Sequence, residues 1–505
     1  MNKQPIIAEH ERTPKKALRW NRTALVAAAL LLAAIGWVFW ETWTVHRSTV
    51  NLQHDYETEY RLRTLDGLRI DAAQSDAAWR VLVEMTTQHQ EFSMRLHREA
   101  EDEWKERGYD GEADYFEPKT LLAGPLDPAL DNRTTRGLEE LRRTGCFELL
   151  DEFAGSGPGL RPVDRSAPNF INRSMPELAL LRSIAKARIL DMRYAAEAGD
   201  RSAAMDAFAD VVGAGKSMTH QMDMISRLVG LSLIALALNE LRFQLLEHRY
   251  DEASARRLLG LVHMDGVASI EEVLEGERLF CLDVMEWMFN ENGYLIMDEF
   301  AKSMQDGNDT SGLDTFWGAF KQRFGAVTKA EAVQLLNDSI DLHIAEAGRP
   351  YTERWATDYE SWLQERLTWK LGDEMIDSLF CGTLWRAIDQ WELTMDQVQT
   401  ARLMIALEIA RLRDGRYPDT LAALAPDILS EVPSDPICHQ PYGYARHEKS
   451  GGASSYILYS CGRDCRDNGG RIDPDEPRLG YNTIYGDGLD VLYSNPRPPR
   501  EAEGE

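Results

Sequence analysis

A charge-free apolar segment near the N-terminus constrains this chain more than any other feature. The segment, TALVAAALLLAAIGWVFW, runs from Thr23 to Trp40, which is about the length that crosses a bilayer as a helix. The positive-inside rule places a basic flank in the cytoplasm, and four basic residues precede the segment: Lys15, Lys16, Arg19 and Arg22. The sequence therefore predicts a basic cytoplasmic tail over residues 1–22, a transmembrane helix over 23–40 and an extracytoplasmic location for the rest.

A cleaved signal peptide is the alternative interpretation of the same segment. Signal peptides have a shorter apolar region that is followed by small residues at the cleavage site, whereas this segment is long and ends in Trp37 and Trp40. Tryptophan is common where a membrane helix meets water. We therefore expect an uncleaved, single-pass protein of the inner (plasma) membrane, with its bulk in the periplasm or an equivalent extracytoplasmic compartment.

The charge balance argues against a nucleic-acid partner. The 505 residues include 83 acidic and 56 basic side chains, for a formal net charge of −27, whereas phosphate binding requires clustered lysine and arginine. The charged fraction of 28% and the hydrophobic fraction of 44% are ordinary for folded proteins. The chain is thus expected to form a folded acidic ectodomain, long enough for two or three domains.

Residues 41–393 have the composition and periodicity of an irregular α-helical domain. Ala, Leu, Glu and Arg dominate, and few stretches alternate apolar and polar residues as strands do. Proline and glycine cluster between residues 108 and 176, which indicates a possible internal boundary. Gly199 is placed to end one helix and Asp200 to cap the next, so a helical hairpin is predicted there.

Several other helices are predicted from the same patterns. The apolar run Leu228–Leu238 is too short to span a membrane and fits a buried core helix. Another helix is expected from about Thr394 to Arg413, where apolar residues recur at steps of three and four. The remaining predicted helices lie near residues 269–289, 329–347 and 351–371.

Two short patterns suggest catalysis, but their context favours ordinary helix. The GAGKS of Gly213–Ser217 resembles the end of a phosphate-binding loop, yet Asp210 occupies the position of that loop's first glycine and the segment does not follow a strand. No nucleotide partner is therefore predicted. A second pattern is a group of glutamates expected to form a solvated helix face: Glu271, Glu272, Glu275 and Glu277.

Residues 394–495 change character and are predicted to form a small α+β domain. Gly, Pro, Asp and aromatic residues become frequent after Glu431, and the best strand candidates are Tyr456–Ser460 and Leu489–Ser494. Residues 496–505 are expected to be a disordered tail.

An ordered series of turn motifs runs through this region. It comprises the GRYP turn Gly415–Pro418, the short helix Leu421–Leu424, the PSDP motif Pro433–Pro436, the strand and loop Tyr459–Asp464, the pair Gly469 and Gly470, and the aspartate-rich segment Asp487–Val491. The series resembles the soluble domain of the major pseudopilin of type II secretion systems. The resemblance implies a pseudopilin-like α+β fold for about a fifth of the chain.

The rest of the chain departs from the pseudopilin pattern. In that family an apolar helix that carries a glutamate runs directly into the soluble domain. Here the apolar segment has no acidic residue and lies far upstream, with the whole helical region in between. Because fold alone does not transfer function, we expect a related fold on a helical ectodomain and not assembly into a pseudopilus.

The resemblance also implies a calcium site in the aspartate-rich loop. Asp464 and Asp490 match the family's ligand positions best, and Asp487 is next. Calcium requires six to eight oxygen ligands from a flexible loop, and further carboxylates are available nearby at Asp467, Asp473 and Asp475. The alternative is a solvated acidic loop, because aspartate and glycine are also common turn residues.

Three of the six cysteines lie in the same region: Cys438, Cys461 and Cys465. An extracytoplasmic compartment permits disulfides, so a bond between Cys461 and Cys465, or between Cys438 and one of them, could tie the loop. The other three cysteines are expected to be buried apolar residues: Cys146, Cys281 and Cys381.

Together these features favour a structural or interaction protein over an enzyme. No set of residues with catalytic spacing stands out, and the only resemblance is to a non-enzymatic module. We expect protein partners in the envelope, membrane contact through residues 23–40 and no nucleic acid. Two alternatives remain, an envelope hydrolase whose site is assembled in the helical domain and a helical scaffold that binds peptides.

Overall fold

The computed structural model describes residues 32–40, 54–106, 128–163, 174–296, 326–354, 359–366, 384–448, 454–470 and 490–494. This part of the chain is mainly α-helical with one small sheet, as predicted. The helices are α1 (32–40), α2 (Tyr56–Leu68), α3 (Ala72–Glu106), α4 (Pro128–Arg143), α5 (Cys146–Gly155), α6 (Pro176–Glu197), α7 (Arg201–Met218), α8 (Met224–Leu246), α9 (Glu252–Leu261), α10 (Ile270–Met288), α11 (Lys329–Ala347), α12 (Tyr351–Arg354), α13 (Tyr359–Arg366) and α14 (Leu384–Asp414). A short 3-10 helix (Leu421–Leu424) and strands β1 (Gly443–Glu448), β2 (Ser454–Ser460) and β3 (Val491–Leu492) follow.

Helices α6 and α7 form the predicted hairpin. Gly199 has a φ of +80°, a left-handed conformation that glycine adopts without steric strain. The Asp200 side chain accepts a hydrogen bond from the Ala203 amide at 3.0 Å and so caps α7. The hairpin is confirmed together with the two residues that form its turn.

Helices α7 and α8 cross with their backbones nearly in contact. A Cβ atom on Gly215 would lie 2.7 Å from the carbonyl oxygen of Gly230, and one on Gly230 would lie 2.5 Å from that of Gly215. Gly213 is equally constrained, because a Cβ there would lie 2.7 Å from the Cβ of Ala154 in α5. The glycines of the GAGKS segment therefore serve close helix packing.

Helix α8 contains the short apolar run and lies in the protein core. Within the described residues it is the one helix long and apolar enough to cross a membrane, yet 61% of its apolar window is buried inside the protein. Its charged residues also find partners there. Glu240 pairs with Arg193 of α6 at 2.8 Å, and Arg242 donates to the carbonyl oxygen of Tyr493 at 3.0 Å.

Helix α14 is longer than predicted and joins the two regions expected as separate domains. It begins at Leu384 and not near Thr394. Its first turns are buried with α10 and α11, because Leu384, Ala387 and Ile388 continue the apolar stripe at steps of three and four. Its later turns pack against α8, α9 and the 3-10 helix.

The other predicted helices are found where expected. Helices α10 and α11 occupy the regions predicted at 269–289 and 329–347, and α12 and α13 lie within 351–371. Residues 355–358 between α12 and α13 are outside the described part, as are 107–127 and 164–173 of the predicted internal boundary.

The three strands form one antiparallel sheet with β2 in the centre. Gly443 of β1 lies opposite Tyr459, which in turn lies opposite Leu492 of β3. The Tyr459 ring fills the space in front of Gly443, where a Cβ atom would lie 2.0 Å from a ring carbon. Both predicted strand segments are present, the second as the two residues of β3.

Residues 32–40 of the predicted anchor form α1, whose apolar side chains are exposed. Leu32, Trp37 and Trp40 are 68%, 54% and 67% exposed, so protein contacts leave most of their surface uncovered. The preceding residues 1–31, which include the first half of the predicted anchor, lie outside the described residues, as does the predicted tail 496–505.

Candidate functional site

A buried carboxylate on α14 holds the two ends of the C-terminal region. Asp396 accepts the hydroxyl of Tyr442 at 2.5 Å and that of Tyr493, and it is fully buried. Burial raises the pKa of Asp396 well above its usual range, and the nearby carboxylate of Asp435 adds to the rise. Tyr442 precedes β1 and Tyr493 follows β3, so this one side chain joins both edges of the sheet to the helix.

The aspartate of the PSDP motif makes a second set of buried contacts. Asp435 accepts hydrogen bonds from the Ile437 amide at 2.7 Å and from the Ser460 hydroxyl at 2.5 Å. It thereby ties the segment that enters the sheet to the end of β2. The motif was recognised as a turn signal, but this long-range bond to Ser460 could not be read from it.

The loop after β2 is anchored on the helical region. Arg463 forms an ion pair with Asp389 of α14, and its guanidinium lies 4.7 Å from the ring centroid of Tyr351 in α12. The Tyr351 amide also donates to the carbonyl oxygen of Ile437 at 2.9 Å. The C-terminal region is thus packed on the helices through several independent contacts.

The three predicted calcium ligands have different surroundings. Asp490 is 3% exposed and accepts the amides of Asn468 at 3.1 Å and Gly470 at 2.7 Å. Asp464 accepts the amide of Arg466 at 3.0 Å and forms a local turn. Asp487 lies outside the described residues. In the loop that follows β2, Asp490 therefore holds the backbone around residues 468–470, and Asp464 holds the turn at residues 464–466.

The described residues by themselves do not assemble a metal site. In this part of the chain, no three His, Cys, Asp or Glu side chains converge as metal ligands would. The neighbouring Asp467 accepts the Tyr459 hydroxyl at 2.7 Å, and this bond, with that from the Gly469 amide, lowers its pKa. A calcium site would need Asp487 and other oxygen ligands from residues 471–489.

A cleft of about 840 Å³ opens between α4, α5, α6 and α7. Two arginines, Arg142 and Arg188, contribute to its lining. Six of the described residues that line it carry carboxylates: Glu148, Asp151, Asp191, Asp200, Asp206 and Asp210. The cleft therefore has an excess of negative charge that suits a cationic group.

One carboxyl group in this cleft, that of Asp210, has a raised pKa. Asp210 of α7 is buried and receives the Arg188 guanidinium at 2.7 Å. Burial nevertheless raises the pKa of Asp210 to about 6, and a hydrogen bond with Asp151 contributes to the rise. Asp151 is exposed on α5, so the pair links a buried acid to a solvent-facing one.

Several polar residues with catalytic potential are instead used in the core. Glu277 was expected on a solvated face, but it is buried and accepts the Met224 amide at 3.0 Å at the start of α8. Its neighbour Glu272 forms a capping box with Ser269. Tertiary packing decided the difference, because helical spacing alone does not show which face meets α8. His343 is buried, and its imidazole is hydrogen-bonded to the Ser339 carbonyl oxygen at 2.6 Å.

Comparison of the chain with protein-family models, with curated proteins and with solved structures finds no match in any of the three. The pseudopilin resemblance therefore rests on its turn motifs and aspartates alone.

Proposed function

We propose that this protein is a membrane-anchored envelope component of structural or interaction type, with a pseudopilin-like C-terminal module formed by residues 394–495. In this proposal, residues 23–40 anchor the chain in the inner membrane with the N-terminus in the cytoplasm. The helical region and the module lie on the extracytoplasmic side. Asp464, Asp487 and Asp490 are proposed to bind calcium in the terminal loop.

The observation that carries this proposal is that α14 belongs to both the helical region and the module. Asp389 in the first turns pairs with the loop residue Arg463, and Asp396 binds Tyr442 and Tyr493 from both ends of the module. A module held this way cannot reorient without breaking buried polar contacts. Its aspartates are used to fix structure, which supports a role as a fixed surface for partners and not as a catalyst.

The acidic cleft supports binding of a basic partner segment. Its six carboxylates outnumber its two arginines, and the partly exposed ring of Tyr194 in its wall offers apolar contact. Negative charges on one surface speed association with a positively charged partner and disfavour partners of the same charge. We propose that a lysine- or arginine-rich segment of an envelope protein binds there.

Membrane topology is the first test of this proposal. A reporter enzyme that is active only outside the cytoplasm is fused after Glu505 of the full chain, and a matched fusion is made after Arg22. The C-terminal fusion is expected to be active and membrane-bound, and the short fusion inactive. Activity from both fusions, or a C-terminal fusion released as a soluble product, would refute the anchored topology.

Cross-linking tests the cleft directly. A photo-reactive amino acid replaces the exposed cleft residue Glu148, and a control replaces the exposed Glu271 of α10. A specific cross-linked partner is expected only from the cleft position. Reversing the charge with Asp206→Lys should abolish that product. Equal products from both positions would contradict binding in the cleft.

A hydrolase is the second candidate, and the pair Asp151 and Asp210 favours it. An acid with a pKa near 6 is suited to donate a proton near neutral pH. Activity of the full chain on ester or glycoside substrates that is lost in both Asp151→Asn and Asp210→Asn would support it. Activity that persists in both variants would exclude this pair as the catalytic acids.

A further inference from the structure

The three cysteines of the C-terminal module lie together in the folded protein. The thiol of Cys438 is within hydrogen-bonding reach of the Cys461 thiol, and it also contacts the thiol of Cys465. Cys438 and Cys461 are buried, and Cys465 is half-buried. Cys438 is therefore the common member of two thiol contacts.

Backbone and side-chain contacts hold these thiols in place. Asp435 accepts the amide of Cys438 at 3.4 Å and the hydroxyl of Ser460, the residue before Cys461, at 2.5 Å. One carboxylate thus fixes both chain segments that carry the buried pair. Cys465 is positioned by Gln440, which donates to its carbonyl oxygen at 3.5 Å, and its thiol also contacts Thr352 of α12.

We propose that Cys438, Cys461 and Cys465 form a thiol–disulfide exchange site. Cys438 and Cys461 form the resting disulfide, and Cys465 is the thiol that exchanges with it. The biological relevance of this site, though not its chemistry, rests on the extracytoplasmic location proposed above, because disulfides persist in oxidising compartments.

The resting bond forms by reaction with a disulfide oxidant such as oxidised glutathione. The thiols of Cys438 and Cys461 lose two protons and two electrons, a bond forms between their sulfur atoms, and the oxidant's disulfide is reduced to two thiols. In the exchange step, the Cys465 thiolate attacks the sulfur of Cys438. The bond between Cys438 and Cys461 breaks, and Cys461 leaves as a thiolate that takes up the proton lost by Cys465.

Exchange would move the cross-link from the end of β2 into the anchored loop. Cys461 directly follows β2, whereas Cys465 lies beyond Arg463, which pairs with Asp389 of α14. The two disulfide isomers therefore place different constraints on the contact between loop and helices. Exchange between the isomers leaves the oxidation state unchanged, whereas formation or reduction of either disulfide depends on the thiol–disulfide balance of the compartment.

Peptide mapping of the full chain in detergent tests the site. The reduced protein is treated with oxidised glutathione, free thiols are alkylated, and trypsin is added. The three cysteines fall on separate tryptic peptides, Tyr417–Arg446, Ser450–Arg463 and Asp464–Arg466, so each disulfide has its own mass. The expected product links the first peptide to the second.

Single variants distinguish the roles of the thiols. Cys465→Ser should keep the bond between Cys438 and Cys461, and Cys461→Ser should move it to Cys438 and Cys465. Cys438→Ser should abolish both without linking Cys461 to Cys465. Cys438→Ala is a second variant in case the serine disturbs folding, and thermal melts check that each variant is folded.

The unfolded chain is the matched control, because there the choice of disulfide does not depend on the folded positions of the three thiols. In guanidinium, chain entropy favours the shortest loop, so the bond between Cys461 and Cys465 should predominate. If that bond also predominates in the folded wild type, or if no linked peptide forms, the proposal is wrong. Rapid alkylation in cells is a separate arm. A chain that is reduced in cells yet forms the predicted bond when purified would refute the extracytoplasmic location and leave the thiol site standing.

Discussion

The carboxylate of Asp396 and the hydroxyl of Tyr442 lie 2.5 Å apart in the buried interface between α14 and the sheet. Tyr493, at the other end of the module, binds the same carboxylate. Burial favours the protonated form of Asp396, and each of its two carboxyl oxygens meets one tyrosine hydroxyl. This single residue connects three chain segments that are distant in sequence.

Replacing Asp396 should therefore have an effect that depends on what replaces it. Asp396→Ala leaves two tyrosine hydroxyls buried without this partner, and we expect it to lower the free energy of unfolding by about 2–5 kcal/mol. Asp396→Asn has the shape and polarity of a protonated carboxyl group, so its cost should be under about 1 kcal/mol. Urea denaturation of the full chain measures both. An equal loss of unfolding free energy in both variants would contradict a protonated Asp396.

The crossing of α7 and α8 gives a prediction about packing. Gly215→Ala places a methyl group 2.7 Å from the Gly230 carbonyl oxygen and 2.8 Å from Ile234, and we expect it to destabilise the protein by about 1–3 kcal/mol. Gly260→Ala in α9 is the control, because nothing lies within 4 Å of its added methyl group. It should leave stability unchanged or raise it by up to about 1 kcal/mol. If Gly215→Ala were harmless in denaturation curves, the close crossing would be wrong.

Glu277 predicts a pH dependence of stability. Burial raises its pKa from 4.5 to about 7, so the folded state binds a proton that the unfolded state has lost over this interval. Its contribution to stability is fully present below about pH 4.5 and is lost as the pH rises towards 7. The limiting slope is about 1.4 kcal/mol per pH unit.

Glu277→Gln should remove this contribution, since the amide oxygen still accepts the Met224 amide and has no charge to bury. The variant is expected to gain stability relative to the wild type as the pH rises from 4.5 to 7. Glu271→Gln, at an exposed position of the same helix, should run parallel to the wild type. Denaturation midpoints across this range decide the matter, and a constant difference between Glu277→Gln and wild type would contradict the raised pKa.

Calcium binding is tested by thermal melts of the full chain with calcium and with a chelator. A ligand that binds only the folded state raises its stability as its concentration exceeds the dissociation constant. We expect calcium to raise the melting temperature and Asp464→Asn to abolish the rise. Asp490→Asn should lower the melting temperature even with the chelator, because Asp490 binds two loop amides. A melt that is insensitive to calcium in the wild type would reject the metal site.

Local signals in the sequence were enough to predict much of the architecture. The hairpin at Gly199 and Asp200 and the ends of α10 and α11 depend on residues within one helical turn of each other. The strand segments around Tyr459 and Val491 were likewise visible from composition and alternation. The start of α14 was missed although Leu384, Ala387 and Ile388 keep the helical spacing, and only their contact with α10 and α11 shows that they are buried.

The sequence by itself determined the helical character of the chain, its turns and the apolar segment proposed as its anchor, since each follows from neighbouring residues. Only the tertiary structure decided that Asp396 joins both ends of the module, that Glu277 is buried and that Cys438 contacts two other thiols. These contacts join segments that are far apart in the chain. Burial within them raises the pKa values of Asp396 and Glu277. No local pattern records which side chain another element will cover.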